Sequence, residues 1–307
     1  MPKLPTPPAD HPQRMQRVRR CVDGLSLGDA FGERFFVPPG EAVAAILRRE
    51  LPSAPWRYTD DTVMAIAIAE VLDRFGAVIP DHLARAFASR FTAEPDRGYG
   101  GGAFTLLRSL ALGAPWAEAA AALFDGQGSM GNGGAMRAAP VGAYFAGDPE
   151  AIVAHAQRSA AVTHAHPEGQ AGAVAVALAA GWAALVGAGA RPTAGLFEHV
   201  LSAMTTSRTR DRIAEAARLA PETRVDEAAA ALGSGQQVLA EDTVPFALWA
   251  ASRHLDDFEE AMWATALGLG DRDTTCAIVG GIVALAAPTA ALPARWIAAR
   301  EPLPSWG

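Results

Sequence analysis

Thr59-Asp60-Asp61-Thr62 sets two adjacent carboxylates between two hydroxyls at the head of an apolar helical run. Like charges this close repel, and a helix N-terminus with its free N–H groups and dipole relieves only part of the cost. A hard divalent cation relieves more, because Mg²⁺ takes oxygen ligands and keeps waters. Thr59 Oγ1 would add a neutral oxygen. A plain N-cap with a solvent-facing companion aspartate is the alternative. GLGDRDTTCAIVGG repeats the chemistry with Asp271, Asp273 and Thr274 ahead of an apolar, glycine-spaced stretch. Residues i and i+2 converge where a chain turns into a helix. If the two clusters meet, four carboxylates can hold two Mg²⁺ ions, with Mn²⁺ or Ca²⁺ as substitutes of similar hardness.

Gly128-Ser129-Met130-Gly131-Asn132-Gly133-Gly134-Ala135-Met136-Arg137 is a third feature. Such a glycine density exposes backbone N–H groups and lets a ligand approach closely, which suits phosphate or ribose oxygens. A tight turn is the alternative. It is neither a Walker A loop, lacking Gly-Lys-Ser/Thr, nor a Rossmann fingerprint, lacking a preceding strand. Arg137 suits either a phosphate or a structural ion pair. In Thr163-His164-Ala165-His166-Pro167, His164 can serve a ribose or polarise a water, and His166 can cap the helix that follows Pro167. A zinc site gains no cysteine or third histidine here. Arg97-Gly98-Tyr99-Gly100-Gly101-Gly102 reads as a hinge or substrate loop, and Gly233-Ser234-Gly235 precedes a helix. No G-x-S-x-G elbow or Cys–His pair supports covalent catalysis.

The elements that must position these residues read as helices. Met15, Val18, Cys21, Val22 and Leu25 recur at spacings of three and four, with a helix end and tight turn expected over Gly28, Asp29 and Gly32. A helix from Thr59 or Asp60 to a C-cap at Gly76 has the strongest signals. A short helix is expected within 38–55. Others are expected at 80–91, 101–112, 115–124, 132–146, 149–162, 167–187, 193–205, 208–219, 225–231, 236–251, 256–266 and 273–286. Short buried strands in an α/β protein are the alternative. The segment AGAVAVALAAGWAALVGAGA is read as an interior helix rather than a membrane span.

The 307 residues are 50% hydrophobic and 19% charged, which excludes a disordered polyampholyte. Gly 30 and Pro 22 imply many short helices. The net charge of −7 argues against general nucleic-acid binding. Two cysteines, Cys21 and Cys276, give no disulfide framework. With no apolar signal segment at the start, a cytoplasmic protein is expected. Residues 1–10 are expected to form a flexible tail and 11–307 a single domain. No membrane partner is expected, and a monomer is the expected state.

Taken in order, GLSLGDAFG, YTDDTVMA, RGYGGG, GSMGNGGAMRAAP, THAHP, ALGSGQQVLAEDTVPFAL and GDRDTTCAIVGG resemble the ADP-ribosylglycohydrolase family, which includes dinitrogenase reductase-activating glycohydrolase. The resemblance covers roughly residues 16–287. It implies a compact all-α, single-domain multi-helix bundle with two Mg²⁺ in a central cleft. The implied activity is hydrolysis of the glycosidic bond between ADP-ribose and an acceptor, a protein side chain or a small molecule, releasing ADP-ribose. By motif, Thr59, Asp60, Asp61, Asp271, Asp273 and Thr274 match the metal segments, with Asp60, Asp61 and Asp271 also catalytic. Ser129, Gly131 and Asn132 match the ADP-ribose loop. His164, Tyr99 and Gly100 match positions beside the distal ribose, and Gly233 and Gly235 match another loop at the cleft. The family's usual glutamate, four residues after the last glycine of its G-D-x-x-G motif, is replaced here by Phe36. Glu33, directly after Gly32, is the candidate for that acidic role. A non-catalytic ADP-ribose-binding or structural protein on the same fold, and an unrelated metal phosphohydrolase, are the competing classes. Free ADP-ribose, unchanged ligand and inorganic phosphate are their distinguishing products.

Overall fold

The computed structural model describes residues 4–287 and 292–306, which are helices and their connections. The first third holds α1 (His11–Glu33), α2 (Pro39–Leu47), α3 (Asp60–Phe75), α4 (Pro80–Ala93) and α5 (Gly101–Ala111). The middle holds α6 (Trp116–Gly126), α7 (Gly133–Met136), α8 (Ala139–Tyr144), α9 (Pro149–Ala161), α10 (Pro167–Gly187) and α11 (Leu196–Ala203). The remainder is α12 (Arg208–Ala216), α13 (Val225–Leu232), α14 (Ala240–Arg253), α15 (Phe258–Ala266), α16 (Arg272–Ala286) and α17 (Ala294–Ala299). Among the described residues there is no strand, only isolated bridges from Trp56 to Arg300 and from Gly131 to Leu239. The all-α expectation holds, and the α/β alternative falls. The end of the expected single domain, and residues 1–3 of the expected tail, lie partly outside the described residues.

The expected helix end at Gly28–Gly32 is wrong, and the reason organises the fold. α1 continues to Glu33, with Gly24, Gly28 and Gly32 along one face. A Cβ at Gly28 would collide with the Cys276 carbonyl, one at Gly32 with the Arg272 carbonyl, and one at Gly24 with Ala284. These glycines let α1 and α16 touch backbone to backbone. A glycine inside a helix costs about 0.5–1 kcal/mol relative to alanine. Close dispersion contact along the whole α1–α16 interface offsets that cost.

α10 occupies the interior, as expected. Among the described residues it is the one helix long and apolar enough to cross a membrane, and 78% of its most apolar window is buried in the fold. Gly142 of α8 and Gly172 of α10 again mark tight crossings, since a Cβ on either would clash with a neighbouring helix. At the other side of α1, Phe31 stacks on Trp296 at 4.4 Å and meets Trp263 edge-on at 4.9 Å. Such pairs contribute about 0.5–1.5 kcal/mol beyond their burial. They dock α17, which the sequence reading did not anticipate.

Three other expectations change. The helix expected over 132–146 is two short helices, α7 and α8, parted at Arg137 and Ala138. The helix expected from 236 starts at Ala240, because the preceding residues pair with the glycine loop: Asn132 N–H donates to Val238 O, and Ala240 N–H donates to Met130 O, both at 3.0 Å. The end of α6 leaves helical geometry at Leu123, and Phe124 and Asp125 take φ of 53° and 56°.

Candidate active site

α1 positions both acidic clusters. Asp29, fully buried in α1, accepts from Thr59 N–H at 3.0 Å and Thr59 Oγ1 at 2.8 Å, and from Thr62 N–H at 3.1 Å and the Thr62 hydroxyl. It thus grips the turn that starts α3. Three residues further on, Gly32 seats α1 against the first turn of α16. The two helix starts, each carrying two aspartates, are held by the same helix. Burial pushes the Asp29 carboxyl up to about 6, opposed by the hydroxyl of Thr62 and the other donors.

Asp60 and Asp61 open α3, with Thr59 as N-cap; its Oγ1 accepts from Asp61 N–H at 3.4 Å. Asp271 stands at the N-cap position of α16 without a side-chain capping bond, and Asp273 and Thr274 lie in its first turn. Asp60, Asp61, Asp271, Asp273 and Thr274 line one cavity of 560 Å³. Burial and then the Asp29 charge push Asp60 up to about 7. Burial and then the charge of Asp273 push Asp61 well above the carboxylate range, and burial and then Asp271 do the same to Asp273. Asp61 Oδ2 is buried without a hydrogen-bond partner.

The glycine loop forms the adjoining wall. Ser129, Met130, Gly131, Asn132 and Gly133 line the cavity, and Ser129 Oγ accepts from Gly131 N–H at 3.1 Å. Asn132 Nδ2 donates to Asp271 Oδ2 at 2.7 Å and to Thr243 Oγ1 at 3.0 Å. His164 lies behind the loop and also lines the cavity. Burial, then the Arg137 charge, lowers its imidazole to about 3, so the ring is neutral. Arg137 is buried at the back, where its guanidinium donates to Gly133 O at 2.8 Å and Thr163 Oγ1 at 2.6 Å and lies 4.7 Å from the Phe87 ring centroid. Opposite, Gly98, Gly100, Gly101 and Gly102 complete the wall. Asp60 N–H donates to Arg97 O at 2.7 Å, so this loop is fastened to the start of α3. The Arg97 guanidinium pairs with Glu94 and Glu301 and donates to Tyr58 O.

Not every expected residue faces the cavity. Thr59 does not line it, and its hydroxyl is bonded to Asp29. The Tyr99 ring packs edge-on against Phe91 at 5.1 Å, and its buried hydroxyl has no hydrogen-bond partner. Gly233 and Gly235 lie outside the lining: Asp271 N–H donates to Ser234 O between them at 2.9 Å, a Cβ at Gly235 would stand 2.5 Å from Asp271 Cβ, and one at Gly233 would strike Asp242. Glu33 is exposed at the end of α1, outside the lining. Phe36 is exposed too, with the Arg272 guanidinium 4.6 Å from its ring centroid.

Other lining residues were missed. Phe124, 60% exposed, stands at the rim with its ring 3.4 Å from where a Gly102 Cβ would be. The left-handed backbone at Phe124 and Asp125 turns it there, and no sequence pattern announces that geometry at a non-glycine residue. Met64, Leu106, Met136, Gln127, Gln237 and Val238 line the cavity as well, as do Arg137 and Thr163. A groove of 730 Å³ beside α4 and α5 is lined mainly by small residues, with Asp81 and Arg85 as its charged groups. It has no converging set of chemical groups.

The cation implied by the sequence resemblance fits this lining in charge. Among the described residues, Asp60, Asp61 and Asp273 have no ion-pair partner within salt-bridge distance. The orphaned Asp61 Oδ2 is a buried acceptor that a cation could take. No three His, Cys, Asp or Glu side chains among the described residues are closed around one point.

The model of the ADP-ribosylglycohydrolase family matches residues 10–305. The ADP-ribosylhydrolase ARH3 of Homo sapiens is 34% identical over 180 residues, 54% of this chain and 49% of that protein, so the chain spans about half the length of such relatives. An uncharacterised protein of Archaeoglobus fulgidus is 29% identical over 294 residues, 92% of this chain and 90% of that one. A solved structure described as an ADP-ribosylglycohydrolase-related protein complex superposes with a TM-score of 0.64 at 25% identity, covering 94% of each chain. With the family model spanning nearly its whole length, the chain belongs to the ADP-ribosylglycohydrolase family.

Proposed function

We propose that this protein hydrolyses the glycosidic bond between ADP-ribose and an acceptor, releasing ADP-ribose. The observation that carries the reading is the cavity itself: four aspartates on two helix starts meet a glycine-lined wall and a neutral imidazole. Asp60, Asp61, Asp271 and Asp273, with Thr274, would hold two Mg²⁺ ions; Thr59 shapes the turn from behind. When bound, the ions would supply Lewis acidity and lower the pKa of water.

The chain's own residues account for the rest. A glycosidic bond to ribose breaks through an oxocarbenium-like state, and a carboxylate on one face of the sugar stabilises it and takes the proton from water. Asp60 and Asp61, which both line the cavity, would supply that carboxylate. The Ser129 hydroxyl and the glycine-loop N–H groups that are not already bonded within the protein, unlike those of Gly128, Gly131 and Asn132, would offer donors to the pyrophosphate. Phe124 offers an exposed aromatic face at the rim for a base. Apolar lining from Met64, Leu106 and Met136 limits water in the cavity, which strengthens each polar contact there.

The substrate is an ADP-ribosylated protein or small molecule. Purified protein, supplied with Mg²⁺ and a panel of defined ADP-ribosylated acceptors, should release free ADP-ribose from at least one class. Tight binding of ADP-ribose with every acceptor left intact would favour a binding protein on the same fold.

A further inference from the structure

His164 is joined to the buried Arg137 by one hydroxyl. Arg137 Nη2 donates to Thr163 Oγ1 at 2.6 Å, and Thr163 Oγ1 lies 2.6 Å from His164 Nδ1. All three side chains are more than nine-tenths buried. We infer that Arg137 and Thr163 form a relay that fixes the proton of His164 on Nε2, so that the ring presents a hydrogen-bond donor to the cavity. The inference rests on the reading of the cavity as the site of an oxygen-rich ligand.

The proton count leaves one arrangement. A guanidinium only donates, so it takes a lone pair of Thr163 Oγ1. The hydroxyl has one proton to give. Its other acceptor, Ala160 O, is 3.5 Å away, too far to compete with Nδ1 at 2.6 Å. The hydroxyl therefore donates to Nδ1, which must be bare, and the ring proton sits on Nε2. Were the proton on Nδ1, the hydroxyl would accept twice and its own proton would be left with that long contact. Among the described residues no hydrogen bond reaches Nε2. It stands beside the loop, 3.5 Å from where a Cβ of Gly131 or Gly133 would be. Gly169 leaves room for the ring from the far side, since a Cβ there would stand 3.0 Å from His164 Cδ2. The glycines of this wall thus serve the imidazole as well as the ligand. His164 donates to a ribose or phosphate oxygen and does not act as a base through Nε2. Thr163 and Arg137 are positioning residues.

The test is nitrogen NMR of the ring nitrogens in the ¹⁵N-histidine-labelled full chain at neutral pH. His164→Gln identifies the signals among the seven histidines. The wild type is expected to show a protonated, pyrrole-type Nε2 and a bare, hydrogen-bonded Nδ1. Thr163→Val keeps the shape and removes the hydroxyl, so the Nδ1 signal should move; Thr163→Ser should leave it in place. ADP-ribose affinity, measured by calorimetry, should fall about tenfold in Thr163→Val, the equivalent of one lost hydrogen bond, and stay near wild type in Thr163→Ser. A pyrrole-type Nδ1 in the wild type overturns the relay, and so does an unmoved Nδ1 signal in Thr163→Val. If Thr163→Val does not fold, the wild-type and Thr163→Ser spectra decide. If ADP-ribose does not bind the wild type at all, the reading of the cavity fails while the spectra still decide the tautomer.

Discussion

Asn132 and Asp271 are joined by a 2.7 Å hydrogen bond from Nδ2 to Oδ2, which ties the glycine loop to the acidic start of α16. The amide also donates to Thr243 Oγ1. The loop that would hold the pyrophosphate and the carboxylate that would hold a cation are therefore positioned together. Asp271→Asn retains an oxygen that can accept from Asn132 but removes the charge. Turnover should fall by at least about 10²-fold, in the range of a lost general acid–base or orienting group, with the thermal transition little changed. Glu33→Gln should stay within about threefold, because Glu33 is exposed and outside the cavity lining. Steady-state rates and melting curves for both variants check this pair.

The acidic cluster also sets a dependence on pH and cation. Burial and Asp29 raise Asp60 from its usual 3.8 to about 7. Between those values the folded chain binds more protons than the unfolded one, so its stability without a cation falls as pH rises through that window. A divalent cation binds the ionised form and reverses the loss. The rise in melting temperature on adding Mg²⁺ should be small at pH 5 and larger at pH 7.5. Scanning calorimetry in Mg²⁺ and in chelator measures it, and an equal rise at both pH values would contradict it.

Gly28→Ala tests the contact on which the geometry depends. The added Cβ would strike the Cys276 backbone, which has no rotamer to yield. We expect a loss of about 3 kcal/mol or more, at the upper end for overpacking, despite the better helix propensity of alanine. Gly40 in α2 has nothing within 4 Å of the corresponding Cβ, so Gly40→Ala should be neutral or stabilising by up to about 1 kcal/mol. Urea denaturation midpoints compare the two.

Phe124→Ala tests the rim. An exposed aromatic face contributes about 1–3 kcal/mol when a base stacks on it. ADP-ribose affinity should drop by about tenfold, while ribose 5-phosphate, which has no base, should bind both proteins equally. Calorimetric titration with each ligand separates these outcomes.

The sequence was most readable where local chemistry and tertiary role coincide. Thr59 caps α3 and Gly76 ends it, with φ of 63°, as their residue types require. It was least readable where glycine has two meanings. Gly28 and Gly32 look like a helix stop in one dimension, and they are a helix–helix contact in three. The same holds for the aspartates. Their types and spacing showed the chemistry, but the meeting of α3 and α16 depends on Asp29, which looks like a turn residue until its four donors are seen. Gly233 and Gly235 were read as part of the cleft; Gly235 leaves room for Asp271 and Gly233 for Asp242. Phe124 carries no signal, because its backbone conformation is imposed by its surroundings.

The most direct measurement is release of free ADP-ribose from ADP-ribosylated acceptors by the purified protein, with Mg²⁺ and with chelator, beside Asp271→Asn. Release should require Mg²⁺ and be lost in the variant. Release that is unaffected by both chelation and the substitution, or no release from any acceptor class, would contradict the proposed function.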